Sequence, residues 1–284
     1  MEGLLACLVT VVVGLILAGI AYHIWKPREK RIEINNPLSP TLRWMNTAAS
    51  ILVVANHGNF RNMAGIFYPG NEKQPDWVQK VQRMLREYWG IETHEKAMEE
   101  MQSLLDTGMR AQYGRDMSML ETRYAGYSEE ALIHEARKQN PKADEDSYLP
   151  KMLMAYRRHG EDALLGWDMG RAAFVIQSCY FAGYVTMEEV LEIGVEAGKK
   201  AQAVFHNWEE MMESYLLGGQ YWQHDDKGDP KSMTAKRWKI YQKLWCGDTF
   251  FRESPYLSIP FDLPLSKKII TDQYGILPEY QKKK

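Results

Sequence analysis

Residues 167–222 read WDMGRAAFVIQSCYFAGYVTMEEVLEIGVEAGKKAQAVFHNWEEMMESYLLGGQYW, and the punctuation of this stretch predicts three consecutive helices. The first spans about 167–182. Ala172, Ala173, Phe174, Val175, Ile176, Cys179, Tyr180 and Phe181 leave it almost no polar face, and a helix apolar all round belongs inside a core. Gly183 follows where a left-handed residue ends such a helix. Thr186 and Glu189 form a capping box that starts the second helix. Gly194, Gly198 and Ala201 lie along it, and because glycine costs about 1 kcal/mol against alanine in a helix, they predict the close approach of another backbone. Asn207, with Glu210 three residues on, starts the third helix. Its apolar stripe is Trp208, Met211, Met212, Tyr215, Leu216 and Trp222 at i, i+3, i+4, i+7 spacing.

Asp168 and Arg171 are the polar exceptions in the first turn of the buried helix. A carboxylate suits a helix N-terminus, where it meets free N–H groups and the positive end of the dipole. A cation there opposes the dipole, so Arg171 needs an acid, and Asp168 lies three residues back on the same face. The pair reads either as a core ion pair that fixes packing or as an acid and a cation at the floor of a pocket.

Outward from this stretch the same signals recur. Ser39 with Pro40 starts a helix expected to run to about residue 56. Residues 57–74 are rich in glycine and proline and read as loop. Helices follow over about 77–89 and 94–107, the latter capped by Thr93 and closed by Gly108, then less clearly over 109–126. Ser128 caps another to about residue 139, residues 140–147 are a polar loop, and residues 148–159 form a helix closed by Gly160. Ser232 or Thr234 caps a last helix to about 245. No stretch alternates with period two for long enough to predict a sheet, so residues 39–246 are expected to form an irregular, all-α, multi-helix globular domain. Residues 247–284, with Pro255, Pro260, Pro264 and Pro278, read as an irregular C-terminal tail lying over it.

Residues 4–25 carry no charge and are long enough to cross about 30 Å of hydrocarbon as one transmembrane helix. Tyr22, His23 and Trp25 fall where an interfacial aromatic belt would sit, and Lys26, Arg28, Lys30 and Arg31 come directly after. Residues 1–25 are therefore expected to be a single-pass anchor and 26–38 a basic juxtamembrane linker. The positive charge places the linker and the domain after it on the cytoplasmic side of an inner membrane. Thr10, Gly14 and Ala18 make a small-residue stripe, a candidate face for weak homodimerisation. Cys7, Cys179 and Cys246 have no metal or disulfide spacing, in keeping with reduced cytosolic thiols.

Four motifs resemble a bacterial family, domain of unknown function 1266. They are REYWGIETHEKAMEEMQSLLDTG at 86–108, WDMGR at 167–171, AGYVTMEE at 182–189 and FHNWEEMMESYLLGGQYW at 205–222. The resemblance covers about residues 77–222. It implies a mostly helical bacterial domain and no particular activity. The family often has a serine before the tryptophan, where this chain has Asn207, an equally good N-cap.

The chemistry-bearing patterns are sparse. No HExxH, EF-hand, Cys/His ribbon, phosphate loop or GxSxG elbow occurs, so neither a metal nor a cofactor is expected. His224-Asp225-Asp226 runs into Gly228-Asp229-Pro230 and reads as a turn. Glu209 and Glu213, one turn apart, suit acid–base work or simply the helix dipole. Ser178, Cys179 and His206 would make a nucleophile and base only if the fold joined them. A net charge of −2 makes no electrostatic case for nucleic acid. The expected function is a membrane-anchored protein-interaction module. The alternative is a tethered hydrolase or transferase built on Asp168 and Arg171, with Glu209 or His206.

Overall fold

Side-chain oxygens that accept from a helix's own first turn set six of the twelve described helix starts in this fold. The computed structural model describes residues 38–65, 75–247 and 253–267. The apolar stretch 4–25, the Thr10/Gly14/Ala18 stripe, the linker up to residue 37 and residues 268–284 lie outside them. Among the described residues the chain is helical throughout and no helix is long and apolar enough to cross a membrane. The helices are α1 (Pro40–Ala48), α2 (Ser50–Ala55), α3 (Pro75–Trp89), α4 (His94–Asp106), α5 (Arg110–Arg123), α6 (Glu129–Arg137), α7 (Tyr148–His159), α8 (Leu165–Phe181), α9 (Met187–Val204), α10 (Trp208–Gln223), α11 (Met233–Cys246) and the single turn α12 (Pro255–Ser258). Ser39, Thr93, Ser128, Thr186, Asn207 and Ser232 each accept an N–H from the first turn of the helix they precede, and Thr186 and Glu189 form the complete capping box. Ser232, not Thr234, is the cap of α11.

The centre is α8. Every one of its residues is buried except Arg171, and α1, α3, α4, α9 and α10 pack around it. The structure departs from the sequence reading here in two ways. A 3₁₀ turn, Gly160–Leu164, leads directly into α8, so the helix begins at Leu165, two residues earlier than expected, with Asp168 still in its first turn. The glycines of α9 meet side chains and not a backbone. A Cβ on Gly194 would lie 2.2 Å from Met45 Sδ, and one on Gly198 would lie 2.1 Å from Leu265 Cδ1. Backbones do approach where α8 crosses α10: a Cβ on Gly166 would lie 2.3 Å from the carbonyl oxygen of Met211.

Residues 40–56, expected as one helix, break at Ala49 (φ −89°, ψ −2°). The break delivers Ser50 Oγ to the hydroxyl of Tyr256, 2.8 Å away. Within residues 253–267, Ser254, Pro255, Tyr256, Ile259 and Phe261 are buried against the helices. The indole N–H groups of Trp44 and Trp208 donate to the carbonyls of Phe261 (2.8 Å) and Ile259 (2.6 Å), so both tryptophans stay buried with their polar atom satisfied.

Candidate functional site

Asp168 is fully buried, and its carboxylate leaves its own helix. Oδ1 accepts the backbone N–H of Met109 (3.0 Å), and Oδ2 accepts the backbone N–H of Arg110 (3.4 Å) and its Nη1 (3.2 Å). These are the first amides of α5, whose N-cap position, Met109, supplies no side-chain acceptor. Asp168 is therefore the cap of a helix nearly sixty residues upstream in sequence. The approach requires Gly108: its φ is +53°, and a Cβ there would lie 2.0 Å from Asp168 Oδ2. Arg110 also donates to the carbonyls of Leu104 (3.5 Å) and Leu105 (3.1 Å), closing the last turn of α4. One buried acid and one buried arginine thus join α4, α5 and α8. Burial pushes the Asp168 carboxyl up, while the Met109 amide, Arg110 and Arg171 pull it down.

Arg171 sits more loosely. Its Nη1 is 3.6 Å from Asp168 Oδ1, beyond hydrogen-bond reach. Its guanidinium carbon stands 5.0 Å from the ring centre of Trp89 and 5.3 Å from that of Trp167. Burial lowers its pKa from the ordinary guanidinium value, with Asp168 and Glu100 opposing.

Arg171 opens on a cleft of about 490 Å³ between α4, α5 and the C-terminal end of α10, lined also by Glu100, Met109, Asp116, Trp222 and His224. Burial pushes the Glu100 carboxyl above the usual range, with Asp168 adding and Arg171 opposing. The Tyr221 hydroxyl donates to Asp116 (2.6 Å), and His224 Nδ1 lies 2.7 Å from the Tyr148 hydroxyl. Trp222, expected in the apolar stripe of α10, is instead 53% exposed here. Behind it lies Arg237, buried, its guanidinium carbon 5.5 Å from the Trp222 ring centre and 5.3 Å from that of Trp167. Its Nε and Nη1, together with Trp167 Nε1 and Tyr215 Oη, are buried without a hydrogen-bond partner.

The four candidates from the sequence divide into two pairs. Asp168 and Arg171 are neighbours beside the cleft. Glu209 and His206 stand at the other end of α10. From Glu209 to Trp222 is about 20 Å along the helix at 1.5 Å per residue. His206 is exposed, and both its amide and its ring Nδ1 meet Glu210 Oε2 (2.8 and 3.0 Å). Ser178 donates to the carbonyl of Phe174, and burial pushes the Cys179 thiol up to about 12. His224-Asp225-Asp226 is the expected turn, and its acids serve helix starts. Asp226 accepts the Tyr148 amide at the start of α7 (2.7 Å), and Asp225 accepts the Met233 amide at the start of α11 (2.8 Å). Arg110, Glu100 and Arg237 escaped the sequence reading. A signal for Arg110 existed, since α5 follows Gly108 and Met109 with no local capping residue.

Residues 84–261 match the family described as Protein of unknown function (DUF1266), and the chain belongs to it. It is also similar to Uncharacterized protein YbeU of Escherichia coli (strain K12), 24% identical over 125 residues, which are 40% of this chain and 53% of the relative. The chain thus spans about half the length of that relative. No solved structure matches.

Proposed function

We propose that this DUF1266 domain acts by binding, its cleft receiving a segment of a partner protein, and that residues 4–25 tether it to the cytoplasmic face of an inner membrane. One observation carries the reading. The acid that a hydrolase or transferase would need at this site, Asp168, is 0% exposed, and both its oxygens already accept from donors that hold three helices together. A proton transfer to substrate would have to displace those donors. Beside it stands an open concavity with a half-exposed indole, the kind of anchor that dominates protein interfaces. The cleft volume falls in the range that takes a small group or a short segment, about 300–1,000 Å³.

A photo-reactive amino acid placed at Trp222 in cells tests this directly. A discrete adduct is expected from that position and none from Tyr127, an exposed aromatic elsewhere on the surface. An identical adduct pattern from both positions, or none from either, overturns the reading. The tether is tested separately by phosphatase fused after Lys284: activity outside the cytoplasm overturns the orientation.

A further inference from the structure

We infer that the group this cleft takes from its partner is a carboxylate, an acidic side chain drawn to Arg171 and Arg237 around Trp167; this rests on the binding reading above and names its chemistry. The buried cluster around Asp168 and Trp167 is rich in cations. Arg110 is satisfied by Asp168 and two carbonyls. Asp168's remaining attraction reaches Arg171 only at 3.6 Å. Arg237 is 6% exposed and has no carboxylate partner among the described residues. Both guanidiniums stand over the indole of Trp167. Stacking of that kind engages the face of a guanidinium and leaves the N–H edge unused. On Arg237 that edge is the unpartnered Nε and Nη1.

An unpaired buried donor is costly and a buried unpaired cation more so. The unpartnered atoms around Trp167 are donors: two on Arg237, the indole Nε1, and the hydroxyl of Tyr215. Three of these can only donate and the Tyr215 hydroxyl can turn to donate, so with the spare positive charge the site is complementary to an oxyanion. Arg237 does not line the cleft, but Trp222 does, and its ring centre stands 5.5 Å from the Arg237 guanidinium carbon, so that half-exposed indole must swing aside before a group entering beside Arg171 meets Arg237. Carboxylate is named over phosphate because a segment of a partner protein carries it on unmodified Asp and Glu side chains, and its two oxygens match the forked N–H edge of a guanidinium.

The test uses the purified full chain, with glutarate as the carboxylate probe and inorganic phosphate as the competing one, followed by tryptophan fluorescence and thermal unfolding. Glutarate is expected to give a saturable fluorescence change and a higher Tm. Its affinity should fall at least about tenfold in Arg237→Met and in Arg171→Gln, the loss of one charge-assisted hydrogen bond, and stay unchanged in Glu209→Gln. Without ligand, Arg237→Met is expected to melt no lower than the parent, since an apolar side chain replaces an unpartnered buried charge. A marked fall in its Tm would show that the guanidinium is structurally satisfied and would overturn the inference. Glu100→Gln offers a second route that leaves both arginines in place: it should tighten glutarate. No saturable response to glutarate means that water alone serves these donors, and a stronger response to phosphate removes the carboxylate assignment. A Trp222 adduct in cells without a glutarate effect leaves the binding reading standing and this inference overturned. Glutarate binding with no adduct leaves an anion site without a protein partner.

Discussion

The two ends of α10 are built on opposite principles. At the N-terminal end the acid–base and capping side chains make local contacts: Asn207 accepts the Glu210 amide and His206 meets Glu210, all within four residues, and only the buried Trp208 indole reaches across the fold, to Ile259. At the C-terminal end the partners are remote. Gln220 donates to the carbonyl of Asp146, the Tyr221 hydroxyl to Asp116, and His224 meets Tyr148. The polar residues of the first end, His206, Asn207 and Glu209, are exposed. The second closes one wall of the cleft. Acid–base residues that are already satisfied by their sequence neighbours mark a helix start. Those that reach across the fold mark the place where helices are held apart and a cavity is left between them.

The sharpest way to break this contrast is at the joint beneath the cleft. Arg110→Ala should cost about 3–5 kcal/mol in denaturant unfolding, because it strands the buried Asp168 carboxylate and frees two carbonyls of α4. A cost no larger than that of a surface change would mean that remote carboxylates do not hold this end together. Gly108→Ala comes next, towards the top of the ordinary range of about 0.5–3 kcal/mol, because the new methyl group meets Asp168 in a left-handed backbone conformation. Asp226→Ala should cost about 1 kcal/mol, as for loss of a helix cap, with faster hydrogen exchange at the Tyr148 amide.

Glu100 sharpens the comparison through pH. Its folded carboxyl titrates above the unfolded one, so the unfolded state releases its proton first as pH rises. Stability is then full below the ordinary carboxylate range and is partly lost as pH climbs through the folded value. Glu100→Gln should accordingly match the parent near about pH 4 and exceed it in Tm at neutral pH. At the other end of α10, Glu209→Gln should change stability by less than about 0.5 kcal/mol. A larger loss there would show that the N-terminal end is more than a solvated cap.

Legibility tracked sequence distance. The caps at Ser39, Thr93, Thr186 and Asn207 each involve residues three apart, so their geometry is written locally, and with them the all-α class and most helix bounds. The burial of α8 was legible because its apolar residues surround the helix. The pairing of Asp168 was only half legible. Its proximity to Arg171 comes from helical spacing, but its stronger partner, Arg110, is 58 residues away and depends on how α5 is laid against α8. The exposure of Trp222 was not legible. Periodicity places it on the apolar stripe, and only the packing of α4 and α5 leaves a gap in front of it. The spacing of Gly194 and Gly198 signals tight packing correctly, but it does not distinguish a neighbouring backbone from the ends of Met45 and Leu265.

The hydroxyl of Thr41 donates to the carbonyl of Ser266 and accepts that residue's amide, at 2.9 and 3.0 Å. The first helix and the last described segment therefore finish beside each other, although 225 positions separate them. A domain whose first and last described segments meet is topologically close to a ring. Joining residues 38 and 267 through a short flexible linker and reopening the chain in the polar loop 140–147 should yield a circular permutant with the same core, in which a reporter can be attached at the loop, away from the stretch that precedes α1.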